Sequence, residues 1–180
     1  MKMGQDIFLD GRLYEALFQK LQRNGLRKKP FREKEMQIVL GNVLHSDFGI
    51  KRIFNESKYR YHDDSRGYYS DNETDLCRVI RKKQEAKRCD LRLLSPPAWI
   101  ELKLDKIPDE KDLDNLFGSG AGSFRSDESR YSISVWRKRK INKVEEDIEL
   151  LKQGLSPDIR SEIFQIANGV VIAVLYIPSK

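Results

Sequence analysis

The 180-residue chain carries only two cysteines and two histidines, and each scarcity removes a class of protein. Cys77 and Cys89 are too few for a disulfide framework and lack the paired spacing of a zinc site, so a reducing, cytoplasmic setting is expected. His45 and His62 lie far apart, which leaves zinc catalysis and a Ser-His-Asp arrangement with little support. Long hydrophobic runs are missing too. The longest, "GVVIAVLYI" (169 to 177), is far too short to cross a bilayer and is rich in β-branched residues, so it reads as a buried strand and no membrane association is expected. Nothing at the amino terminus resembles a signal peptide. "GSGAGSF" (118 to 124) lacks the Gly-Lys-Ser/Thr ending of a phosphate-cradling loop and reads as a flexible loop near a substrate.

What the chain has in abundance is charge. Charged residues make up 34% against 39% hydrophobic, with a net charge of +6, and a basic surface gains free energy by releasing counterions from a polyanion. A nucleic-acid partner is therefore expected ahead of a membrane. The length suits one domain spanning 1–180 around a central sheet.

Periodicity places the elements. Leu13, Ala16, Leu17 and Leu21 share one helical face between Asp10 as N-cap and Gly25 as stop, which predicts a helix over 11–24. From Phe31, the spacing of Met36, Val39, Leu40, Val43 and Leu44 predicts a second. Residues 55 to 75 are polar and aromatic and read as an exposed loop or an irregular hairpin. Strands are expected near 75–82, at 88–94 and at 98–104, the last two joined by a turn at "SPPA", giving a β-meander. A short helix in "KIPDEKDLDNLF" and a strand at "YSISVW" follow. Asn142 to Gly154, and Ser156 with Pro157 to Gly169, then read as two capped helices.

One stretch breaks its own pattern. In "AWIELKL" (98 to 104), alternation puts Ile100, Leu102 and Leu104 on one face and Trp99, Glu101 and Lys103 on the other, so an acid and a base share a buried strand face. Asp90, one strand earlier in "KRCDLRLL", lies opposite an apolar face of Cys89, Leu91 and Leu93 and can approach Glu101 through the turn. Two carboxylates that close repel unless a cation sits between them, and Mg²⁺, with Mn²⁺ as a substitute, suits one or two carboxylates plus water and phosphate oxygens. Other acid-x-Lys triplets occur, such as Glu56-Ser57-Lys58 and Glu85-Ala86-Lys87, but only this one lies in an apolar strand after a strand bearing an Asp. A purely structural reading pairs Glu101 with Lys103 or Arg92.

Asp90, a ten-residue gap and then Glu101-Leu102-Lys103 on an apolar strand resemble the PD-(D/E)XK nuclease superfamily, with Cys89 where the motif's name has Pro. The resemblance covers about residues 31–105. It implies an α/β fold with a mixed central β-sheet flanked by helices, a restriction-endonuclease-like αβββαβ core. It further implies Asp90 and Glu101 as metal ligands, Lys103 as the residue that positions or activates the attacking water, and a Glu from the preceding helix. Glu35 is the candidate taken for that last role, with Glu33 flanking the same apolar stripe. The expected activity is Mg²⁺-dependent hydrolysis of phosphodiester bonds in DNA, ahead of RNA, by an endonuclease of restriction, repair, recombination or phage defence, with a homodimer presenting two sites as a secondary expectation. The basic runs Arg27 to Lys29, Arg81 to Lys83 and Arg137 to Lys140 would rim the site and hold backbone phosphates. The alternative is a non-catalytic basic nucleic-acid-binding protein.

Overall fold

Two amphipathic helices open the fold, each with the apolar stripe read from its spacing. A computed structural model describes residues 6–26, 31–58, 62–63, 67–68, 88–117 and 124–179. Asp10 accepts the Arg12 amide at 3.0 Å to start α1 (Gly11–Arg23), and Gly25, at φ 85°, supplies the left-handed turn after it. Helix α2 (Glu33–Ser46) buries Met36, Val39, Leu40, Val43 and Leu44.

The strands are β1 (Ile53–Lys58), a two-residue pair β2 (His62–Asp63) and β3 (Gly67–Tyr68), then β4 (Arg88–Leu94), β5 (Pro97–Leu104), β6 (Ser129–Trp136), β7 (Arg160–Ile166) and β8 (Val170–Ile177). Six of them form one sheet in the order β1-β4-β5-β6-β8-β7. Only β5 and β6 are parallel, joined through α3 (Glu110–Phe117), which makes the sheet mixed. Helix α4 (Ile141–Lys152) follows β6. The architecture is the α/β class expected.

Strand alternation divides the core into two layers. Leu91, Leu93, Ile100, Leu102, Ile133, Val135, Ile172 and Val174 pack under α1 and α2, while Trp99, Trp136, Val171, Ala173 and Leu175 pack with Leu113, Leu116 and Phe117 of α3 and Val144 and Ile148 of α4. No helix among the described residues is long and apolar enough to cross a membrane.

Four expectations are corrected. Residues 156–169 do not form a helix: Ser156 accepts the Ile159 amide in a turn, and Arg160–Ile166 pairs along its whole length with β8. Ile159, Ile163 and Ile166 fit a helical stripe, but with Phe164 they also serve a strand packed on both faces, and pairing with the β-branched β8 decides between the periods. The partner of β4 on its outer side is β1, whose residues 55–58 lie in the stretch read as an exposed loop or an irregular hairpin; further along that stretch β2 and β3 do pair antiparallel. At the "SPPA" turn, Pro97 already pairs with Leu94 as the first residue of β5, a position that demands no amide of it. Helix α4 starts two residues before expected for an Asn142 cap: Lys140 stands at the N-cap and Asn142 lies inside the first turn. The strand expected near 75–82, Cys77, the segment 118–123 and the basic runs at 27–29 and 81–83 lie outside the described residues.

Candidate active site

A fork in the sheet positions the chemistry. Pairing of β4 with β5 runs through four residue pairs, from Leu94–Pro97 to Leu91–Ile100, whereas β5 stays paired with β6 as far as Leu104. Past the fork, backbone groups on the facing sides of the two strands need other partners. Side chains provide them. The Asp90 carboxylate accepts the Leu102 amide at 2.7 Å, Glu33 of α2 accepts the Leu104 amide at 3.3 Å, and Gln37, one turn along α2, donates to the Asp90 carbonyl at 2.5 Å. The acids of the fork are therefore fastened by folding itself.

On the α3 face of β5, Glu101 and Lys103 are 7% and 6% exposed, on the side of the strand that alternation assigns them. Lys103 Nζ lies 3.0 Å from Glu101 Oε1 and 2.7 Å from Asp112 Oδ2. Asp112 sits in the first turn of α3, where Asp109 accepts its amide at 2.9 Å. Helix α3 then runs back over the strands, since the Leu116 carbonyl accepts from Arg130, the register partner of Trp99. Arg92 stacks over the Trp99 ring at 4.5 Å.

Burial sets the electrostatics. It pushes the Glu101 carboxyl up to about 8, with the negative charge of Asp90 adding to the shift and Lys103 opposing it. Asp90 is raised for the same first reason, desolvation, against the Leu102 amide and Lys103, while Glu33 and Asp112 add to the rise. Burial disfavours the Lys103 ammonium, but Asp112 and Glu101 outweigh it and hold its pKa above the ordinary value. Near neutrality the cluster thus holds a lysine that stays charged and acids that resist ionising together.

Asp90, Glu101 and Lys103 are brought together. Glu35 is not: its carboxylate turns back to the Arg32 amide at 2.7 Å and caps its own helix on the exposed side. Glu33 instead reaches the fork and also lies 3.4 Å from Lys106 Nζ. Cys89 leaves the apolar face expected of it and packs in the Trp99 layer, beyond the point where β4 stops pairing with β5. Burial and the charges of Glu101 and Asp90 push its thiol up, away from reactivity. Sequence reasoning missed Gln37 and Asp112. Gln37 reads as an ordinary helix amide, and Asp112 is one of four acids in "PDEKDLD" with nothing local to single it out.

Among the described residues, no group of three or more His, Cys, Asp or Glu side chains is gathered as a metal-ion cage. Comparison of the chain with protein-family models, curated proteins and solved structures finds no match.

Proposed function

We propose that the chain is a metal-dependent nuclease that hydrolyses phosphodiester bonds in DNA, as its resemblance to the PD-(D/E)XK superfamily implies. One observation carries this reading: Asp90, Glu101 and Lys103 converge where β4 and β5 part, with both carboxyls raised by burial. Perturbed acids beside a buried cation are expensive as mere scaffolding and are what hydrolytic sites assemble.

The donor set suits a hard divalent ion. Asp90 raises the affinity of Glu101 for its proton, a repulsion that a cation between the two carboxylates would relieve, and Mg²⁺ asks for no more than one or two protein carboxylates. Asp90 and Glu101 would hold it, with Glu33, in place of Glu35, as the helical acid nearest the fork. When bound, Mg²⁺ supplies Lewis-acid polarisation of the phosphate and a bound water of lowered pKa. Lys103, kept protonated by Asp112, sets a fixed positive charge beside the negative charge that develops on the phosphorane-like oxygens. Gln37 holds the backbone of Asp90 and so fixes where its carboxylate points.

A second reading, a non-catalytic basic nucleic-acid-binding protein, is favoured by Lys103 being bound on both sides by Glu101 and Asp112, which a structural ion triad would also show. The test incubates the protein with supercoiled and linear DNA plus Mg²⁺ or Mn²⁺, beside Asp90→Asn and Lys103→Ala. Cleavage lost in both variants supports hydrolysis. Cleavage surviving both, or DNA binding without metal-dependent cleavage, hands the case to the second reading.

A further inference from the structure

Beyond the fork, β6 leaves the sheet into Arg137-Lys138-Arg139-Lys140 at the same end as Lys103. The two arginines are anchored. Arg137 is paired with Asp105 at the end of β5 and donates to the Leu26 carbonyl at 3.4 Å, and Arg139 is paired with Asp147 of α4. The two lysines are exposed, and no carboxylate pairs with Lys138 or Lys140 among the described residues. Open hollows of about 440 and 630 Å³ flank the segment and share Arg137, Lys138 and Arg139 in their walls.

One further feature gives the strip a preference in charge. Helix α4 starts at one of the hollows with Lys140 at its N-cap and no acidic residue in its first turn; a neutral group, the Asn142 side-chain oxygen, accepts the Lys143 amide at 3.0 Å, so no negative side chain of that turn offsets the positive end of the helix.

We infer that Arg137–Ile141 is a subsite for the phosphodiester backbone of nucleic acid, seating phosphates beside the bond that the fork would cut. This rests on the hydrolytic reading for its place in a reaction, but not for its binding chemistry. Lys103 lies opposite Ser134 in the β5–β6 register, so Lys138 is four residues further along the chain, at most about 13 Å at ~3.3 Å per residue. That span corresponds to about four nucleotide steps of ~3.4 Å, so the strip holds the strand close to the cut rather than at a remote site.

The experiment measures anisotropy of a fluorescein-labelled 20-base-pair duplex in EDTA, where no cleavage occurs, across a KCl series. Lys138→Glu/Lys140→Glu should bind at least tenfold more weakly at 100 mM KCl. The neutral pair Lys138→Gln/Lys140→Gln should lose about 1.8 from the slope of log K against log[salt], at ~0.9 per phosphate released. The control Lys152→Glu/Arg160→Glu makes the same charge change at the opposite end of the sheet and should stay within threefold of wild type. Equal weakening by both reversals, an unchanged slope in the glutamine pair, or a wild type that does not bind the duplex overturns the assignment. Binding through the strip by a protein that never cleaves would leave it standing and remove only the hydrolytic reading. Metal-dependent cleavage with the strip reversed and binding unaltered would do the opposite.

Discussion

Glu101→Gln isolates the proton equilibrium at the centre of the fork. The glutamate is buried, and its carboxyl is pushed from 4.5 to about 8 by desolvation first and Asp90 second. The folded state therefore binds this proton more tightly than the unfolded chain. Its contribution to stability is complete below the unfolded value and is lost as pH rises through the folded one. At about 1.36 kcal/mol per pKa unit, a carboxyl moved from 4.5 to about 8 contributes roughly 5 kcal/mol in full, of which about 4 kcal/mol falls between pH 5 and pH 8.5. Glutamine keeps an acceptor for Lys103 and does not titrate. Urea unfolding of both proteins across that range, at fixed ionic strength, should show wild type losing up to about 4 kcal/mol relative to the variant, with m-values unchanged. Groups that do not feel the Glu101 charge cancel in the difference, and Asp90 and Lys103 enter it through their coupling to Glu101. A difference flat to within about 0.5 kcal/mol would mean that Glu101 is ionised at every pH tested, and the account of the fork's electrostatics would fail.

Further outcomes follow from the same geometry. Mg²⁺ binding near pH 7 should release protons, approaching one per ion, since a carboxyl pushed up to about 8 is mostly protonated there, and calorimetry in buffers of different ionisation heat reads this directly. Glu33→Gln should lower cleavage at least tenfold, whereas Glu35→Ala should leave it within about threefold and cost about 1 kcal/mol as a lost helix cap. Gln37→Ala strips the Asp90 carbonyl of its partner and should destabilise by about 1–3 kcal/mol in denaturant titration. Leu102→Ala, 1% exposed between the fork and α2, should cost about 2–5 kcal/mol in denaturant titration as a core cavity.

The sequence was most legible where one periodicity had no rival. The stripes of α1 and α2 and the two faces of β5 follow from spacing alone, and they suffice to put Glu101 beside Lys103. Legibility failed where a segment satisfied two periods, as Ile159, Ile163 and Ile166 do, because the choice is made by the strand alongside. It failed again between Glu33 and Glu35, which flank the same stripe. What separates them is a local contest: Glu35 sits three residues after Arg32 and bonds its amide, leaving Glu33 to reach β5. Gln37 and Asp112 were invisible for a related reason. Their partners, the Asp90 carbonyl and the Lys103 ammonium, lie 53 and 9 positions away, and nothing in the chain marks that separation.

Because Asp90 and Glu33 spend oxygens on sheet amides, their rotamers are frozen when the protein folds, and an arriving ion or phosphate would not have to order them. That spares binding about 1–2 kcal/mol of side-chain entropy for each long chain already immobilised. The same arrangement makes alanine a poor instrument here: it would unhook β5 as well as remove a charge, so amide replacements that keep an oxygen in place are the ones able to separate architecture from reactivity.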